Sequence, residues 1–249
     1  MRSLGDDQGR VVRGADRHAQ APSTTTGGVV TLEHRVLERN DRLAAETRSR
    51  LRARGVFAIN LMSAPGAGKT TLLERLLQDL GGTLPISVIE GDQATDRDAE
   101  RVRAAGGRAV QVNTGTGCHL DATMVARALE QLEPAPRSVV VIENVGNLVC
   151  PAMFDLGESR RVVVTSVTDG DDKPLKYPHM FRAADVLLLN KIDLLPYVRF
   201  DRARYRTAAG ATNPGVLSFE ISATRGDGLD AWYAWLRAAV EQPWGMATS

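Results

Sequence analysis

The amino-acid sequence predicts an α/β domain: a mostly parallel sheet of about seven strands with helices on both faces, preceded by an amphipathic helix. Three observations predict it. Short runs continuous in Val, Ile and Leu alternate with helical stretches, as expected of strands covered on both faces. One run leads straight into the glycine-rich loop SAPGAGKTT at 63–71. Another, VLLLN, ends in NKID at 190–193.

Residues 1–28 mix Gly, Asp, Arg, Ser and Thr without a period, so a disordered tail is expected there. Residues 29–55 follow as a helix, with apolar Leu32, Val36, Leu43 and Leu51 and a stop at Gly55. Its docking surface is either the core domain or a partner. The main domain then spans 56–245. Its strands are expected at 56–62, 86–91, 109–113, 139–144, 162–167, 186–190 and 216–222, and its helices at 70–80, 94–105, 121–132, about 200–209 and 228–241.

Composition narrows the function. The chain has 249 residues, 43% hydrophobic and 24% charged, with a net charge of +1. Neither nucleic acid nor a membrane is an expected partner. A polar N-terminus without an apolar run points to the cytoplasm, where Cys118 and Cys150 are expected as free thiols or metal ligands. The only lysines are Lys69, Lys173, Lys176 and Lys191. Arg serves elsewhere, so these positions are expected to need a compact ammonium.

The loop SAPGAGKTT has the strand–loop–helix setting of a phosphate-binding loop. Gly66, Ala67, Gly68, Lys69, Thr70 and Thr71 are the candidate phosphate contacts. Lys69 is placed to reach the β and γ phosphates, and the Thr70 hydroxyl to hold Mg²⁺. Ser63 stands where the strict pattern has glycine. In NKID, the Asp193 carboxylate matches the guanine N1–H and amine, with Asn190 and Lys191 framing the base. Adenine would leave that carboxylate facing a lone pair. Ser222 and Ala223 of ISATRGDGL back the base. Together these make a P-loop GTPase domain, with GTP and Mg²⁺ as cofactors. Asp92, in a switch-like loop after the second strand, and Glu143, ending the fourth, are candidates near Mg²⁺. Asp96 and Asp98 suit the first turn of the next helix. No glutamine follows Gly146 to position water, so slow intrinsic hydrolysis is expected.

Cys118, His119 and Cys150 offer soft ligands for Ni²⁺ or Zn²⁺. On residue types alone, two small buried thiols and an unrelated surface histidine account for them equally well.

The combination SAPGAGKTT, GDQATDRD, TGTGCHL, IENVGNLVCP, DGDDKPLKYP and NKID resembles the nickel-incorporation GTPases of NiFe-hydrogenase maturation, the HypB family, over roughly 31–243. The resemblance implies that Cys118, His119 and Cys150 bind Ni²⁺ or Zn²⁺ near the interface of a homodimer formed with GTP. It implies that Lys173 contacts nucleotide across that dimer. It also implies two partners: a small zinc-containing hydrogenase accessory protein, and the hydrogenase large subunit as client. The N-terminal nickel store of some members is missing, since only His18 and His34 precede Cys118 and no cysteine does. A urease-type nickel-insertion GTPase is the nearest alternative, but its metal run is Cys-Pro-His, whereas Cys118-His119 and Cys150-Pro151 are separate here. A non-catalytic metal-storage or regulatory module is the alternative from another class.

Overall fold

A computed structural model describes residues 26–92, 97–115 and 117–241. The tail expected over 1–28 lies outside the described residues up to position 25, as do His18, Asp96 and residues 242–245.

The first helix, α1 (Thr26–Ala53), begins three positions before the expected boundary and stops at Gly55, whose φ is +67°. Then come β1 (Phe57–Ser63), α2 (Lys69–Leu80), β2 (Ile86–Asp92), α3 (Arg97–Ala104), β3 (Arg108–Asn113), α4 (Ala122–Leu132) and β4 (Val139–Glu143). After a 3₁₀ turn at Cys150–Met153 follow β5 (Arg160–Ser166), the short α5 (Lys173–Lys176) and α6 (Pro178–Ala183), and β6 (Val186–Asn190). A second 3₁₀ turn at Ile192–Tyr197 leads to α7 (Arg202–Thr212), β7 (Leu217–Glu220) and α8 (Leu229–Glu241).

The sheet has seven strands in the order β3-β2-β4-β1-β5-β6-β7, and each neighbouring pair is parallel. The continuous apolar runs explain why. β1, β4 and β6 are buried at every position, and helices cover the sheet from both sides. Alternate residues of β1 divide between the faces. Phe57, Ile59 and Leu61 pack with Leu72, Leu73 and Leu76 of α2 and Trp232 and Leu236 of α8. Ala58 faces the other way, toward Leu51 of α1 and Val125 and Leu132 of α4. Met62 packs with Phe181 of α6 and Tyr205 of α7.

The amphipathic helix therefore docks on its own domain. Its Ala44 and Leu51 are buried, and burying a leucine side chain contributes about 1.5–3 kcal/mol. His34 stays on the surface, paired with Glu38 at 3.1 Å. Among the described residues no helix is long and apolar enough to cross a membrane.

Because all strands run the same way, their C-terminal ends meet at one edge. Ser63, Asp92, Glu143 and Asn190 all stand there, where an open α/β sheet places its site.

Candidate nucleotide and metal site

The phosphate loop leaves β1 at Ser63 and enters α2 at Lys69. Gly66 and Gly68 take φ of +75° and +97°, values that L side chains rarely adopt. A Cβ on Gly68 would also stand 2.7 Å from Asn190 Nδ2. That amide donates to the Ala67 carbonyl at 2.9 Å, tying the base loop to the phosphate loop.

Ser63 is fully buried and has a role that glycine could not fill. Its Oγ accepts from Lys69 Nζ at 2.8 Å and donates to the Ala64 carbonyl at 2.6 Å. Lys69 also lies 4.0 Å from Glu143 Oε1, to which Thr70 Oγ1 donates at 3.2 Å. The Thr70 hydroxyl and Glu143 carboxylate are hard oxygen donors beside a phosphate loop, a donor set that suits Mg²⁺. Lys69, Thr70, Thr71, Glu143, Gly146 and Lys191 line a cleft of about 440 Å³ with the loop glycines Gly66 and Gly68.

Two residues of that lining were not foreseen there. Asp98 does sit in the first turn of α3 but also faces the cleft, and Arg101 joins it. Arg101 is held by Glu74, with Nε to Oε1 at 2.9 Å and Nη2 to Oε2 at 2.7 Å. Asp92 is the last residue of β2, one position beyond the expected strand, and the cleft lining does not include it.

Glu90 was also missed. It stands opposite Glu143 in the β2–β4 register, and the two are 2% and 3% exposed. Burial, followed by the neighbouring Glu143 carboxylate, pushes Glu90 up to about 11. Burial raises Glu143 as well, while Lys69 draws it down. Both carboxyls are thus raised, and on Glu143 the Lys69 charge and the Thr70 hydroxyl oppose the shift.

A pH dependence follows from this pair. The ordinary value for Glu90 is 4.5 and its folded value is about 11. Between them the folded state keeps a proton that the unfolded chain releases, so stability falls as pH rises. Glu90→Gln, neutral throughout, is expected to raise the melting temperature of the nucleotide-free protein at pH 8 by about 2–4 °C or more. The gap should close near pH 5. Calorimetry at the two pH values checks this, and a variant that tracks the wild type at both would refute it.

At the base end, Asn190 Oδ1 accepts from the Lys191 and Ala223 amides at 2.8 and 3.1 Å. Lys191 adopts φ of +62°, and its Nζ donates to the Gly66 carbonyl at 2.6 Å. Ser222 Oγ donates to Asp193 Oδ1 at 2.6 Å, fixing one carboxylate oxygen. Lys173 heads α5, with Nζ 5.1 Å from the Tyr177 ring centre, and is not in the cleft lining of its own chain. Lys176, by contrast, is a surface ion pair with Asp172 at 2.7 Å.

A third cluster gathers residues that stand well after the phosphate loop in sequence. Ligand atoms of Cys118, His119 and Cys150 lie within 4.8 Å of one another. The sulfurs are 2.8 Å apart, and Cys118 Sγ is 3.5 Å from His119 Nδ1. The reading that left these residues unrelated thus gives way to a single cluster. His119 stacks on Phe154 at 3.9 Å between ring centres, and burial lowers its pKa, favouring the neutral imidazole that binds metal. Cys118 donates its S–H to Cys150 Sγ, and that hydrogen bond, then burial, raises Cys118.

The segment from Glu143 to Cys150 joins the two sites. Asn144 Oδ1 accepts from the Leu120 amide at 3.1 Å, and Asn147 Nδ2 donates to the Cys118 carbonyl at 3.3 Å. Gly146 lies against the phosphate loop, where a Cβ would stand 3.2 Å from Pro65 Cα.

The family model for the CobW/HypB/UreG nucleotide-binding domain matches residues 57–217. The hydrogenase maturation factor HypB of Azotobacter chroococcum mcd 1 is 52% identical over 233 residues, covering 91% of this chain and 76% of its own. The chain belongs to the HypB family. Two HypB crystal structures share the fold. That from Archaeoglobus fulgidus has a TM-score of 0.77 and 40% identity, covering 82% of this chain and 100% of its own. HypB from Helicobacter pylori, in complex with nickel, has a TM-score of 0.77 and 37% identity, covering 85% and 99%.

Proposed function

We propose that this protein is a GTP-hydrolysing nickel metallochaperone that inserts nickel during NiFe-hydrogenase maturation, in the cytoplasm. The observation that carries the proposal is the short path from Glu143 to Cys150, which touches Pro65 through Gly146 and Cys118 through Asn147. Its support from relatives is their name as hydrogenase maturation factors and the nickel complex of the Helicobacter pylori protein.

In this reading the loop amides and Lys69 hold the β and γ phosphates, and Asp193 selects guanine. Thr70 holds Mg²⁺, with Asp92 and Glu143 contributing, and the ion neutralises phosphate charge when bound. Lys69 stabilises the charge that develops as water attacks the γ phosphorus. With no glutamine after Gly146 to orient that water, turnover is slow. Nickel, or zinc, is cargo on Cys118, His119 and Cys150. GTP closes a homodimer in which Lys173 reaches the partner's nucleotide, and hydrolysis times release. A small zinc-containing accessory protein exchanges the metal, and the hydrogenase large subunit receives it.

The test is a Ni²⁺ and Zn²⁺ titration with GDP and with a non-hydrolysable GTP analogue, mass being followed by light scattering. Affinity and mass are expected to change with nucleotide, and metal binding to vanish in Cys118→Ala/Cys150→Ala. Metal binding that ignores nucleotide and survives the double substitution would leave an ordinary GTPase switch. Absent turnover with every metal tried would favour a storage or regulatory module.

A further inference from the structure

The metal ligands sit on two loops far apart in sequence, and both loops are held from behind by α1. One, ending in Cys118-His119, runs into the N-terminus of α4. The other runs from Cys150 through Phe154 to Glu158. At the N-terminus of α4 the first amides lack helical partners. Asp121 caps one, accepting from the Met124 amide at 2.8 Å. The Ala122 amide is capped from another element, by Asn40 Oδ1 of α1 at 2.9 Å.

The other end of the same side chain reaches the second loop. Asn40 Nδ2 donates to the Asp155 carbonyl at 2.8 Å. Asn40 is only 8% exposed, so its planar amide spans the two loops in a buried setting. Neighbouring contacts keep α1 in place. Arg48 pairs with the Asp155 carboxylate, and its Nε donates to the Glu158 carbonyl at 3.0 Å. One turn up, α1 meets Gly157 so closely that a Cβ there would stand 2.8 Å from the Ala44 carbonyl and 2.9 Å from Thr47 Cβ.

We infer that Asn40 is a positioning residue for the metal site: a strut that sets the spacing of the Cys118-His119 and Cys150 loops, so that metal affinity depends on α1 being docked. The inference rests on the metal reading above. Three residues separate Cys118 from Ala122 and four separate Cys150 from Asp155, so each ligand is a short stretch of chain from the strut. His119 stacks on Phe154, next to Asp155, so the strut also acts on the ring plane of the imidazole. Asparagine is needed because one rigid group must accept at one end and donate at the other. Anything that draws α1 off its seat would loosen both loops at once and spread the ligands.

The experiment uses the full chain with Asn40→Ala, Asn40→Asp and Arg48→Ala. Ni²⁺ and Zn²⁺ affinities are measured by competition with a chromogenic chelator, and GDP affinity by fluorescence. The thiolate-to-Ni²⁺ charge-transfer bands report ligand geometry. Asn40→Ala is expected to weaken metal binding about tenfold, the scale for support around a metal site. Asn40→Asp keeps the acceptor for Ala122 but sets a carboxylate against the Asp155 carbonyl, so it should weaken binding at least as much. The charge-transfer bands should shift in both, while GDP affinity stays within about twofold, since the nucleotide contacts are separate. Arg48→Ala should act in the same direction with a smaller effect. Unchanged metal affinity and bands in both Asn40 variants, with Cys150→Ala abolishing binding, would overturn the strut. Equal losses in metal and GDP affinity would overturn it too, as general destabilisation. Wild-type metal binding that survives Cys118→Ala/Cys150→Ala would show that the metal reading itself had failed.

Discussion

Lys69→Ala is expected to lower GTP turnover at saturating nucleotide by about 10²–10³-fold, the scale for losing one preorganised charge at a developing anion. Lys69 is 9% exposed and is aimed by two groups, Ser63 Oγ at 2.8 Å and Glu143 Oε1 at 4.0 Å. It therefore needs little reorganisation to meet a phosphate. Its removal also strips the Glu90–Glu143 pair of its nearby cation, and only the Glu90 and Thr70 hydrogen bonds then oppose burial in raising Glu143. Phosphate release from single turnovers measures the effect. A rate within about threefold of the wild type would contradict the assignment of Lys69 to the transition state.

Asp193→Ala has the second largest expected effect, on base choice rather than rate. Its carboxylate can accept two hydrogen bonds from guanine, and bonds to a charged group contribute about 1.5–3 kcal/mol each. Losing both should weaken GDP binding by about two orders of magnitude or more, leaving ADP affinity nearly unchanged. Because Ser222 Oγ already holds one Asp193 oxygen at 2.6 Å, Ser222→Ala should reproduce a fraction of the loss. Competition between GDP and ADP for a fluorescent nucleotide reads both variants. If discrimination between the bases is unaltered in Asp193→Ala, another group selects guanine.

The features legible in the sequence are those with a local cause. VLLLN forms β6 at the expected bounds because five buried residues in a row have no other use. SAPGAGKTT and NKID announce themselves because each carries its chemistry in a few adjacent residues, and the fold then joins them through Asn190 and Ala67. The Cys118-His119 and Cys150 segments do come together, which residue types alone left undecided.

What was hidden depends on register and distance. Glu90 looks like any acid ending a strand until the pairing sets it beside Glu143. Arg101 reads as one more arginine on a polar helix, and only the packing of α3 near α2 turns it toward the phosphate cleft. Asn40 lies in a helix whose apolar stripe says nothing of the two carbonyl and amide partners 82 and 115 residues away. The helices α5 and α6 are too short for a period to show, although Pro174 and Pro178 mark their first turns.

The place of β1 in the sheet bears on how the protein is made. Both of its neighbours, β4 and β5, come later in the chain. A ribosome that has finished the phosphate loop has therefore produced an apolar strand with nothing to pair with. Its first partner, β4, is complete only at Glu143, eighty residues later, and its second, β5, only at Ser166, about a hundred residues later. Non-local pairing of this kind slows folding and exposes sticky intermediates. Nascent chains shorter than that have no complete nucleotide site, and they are the forms most in need of a chaperone's cover.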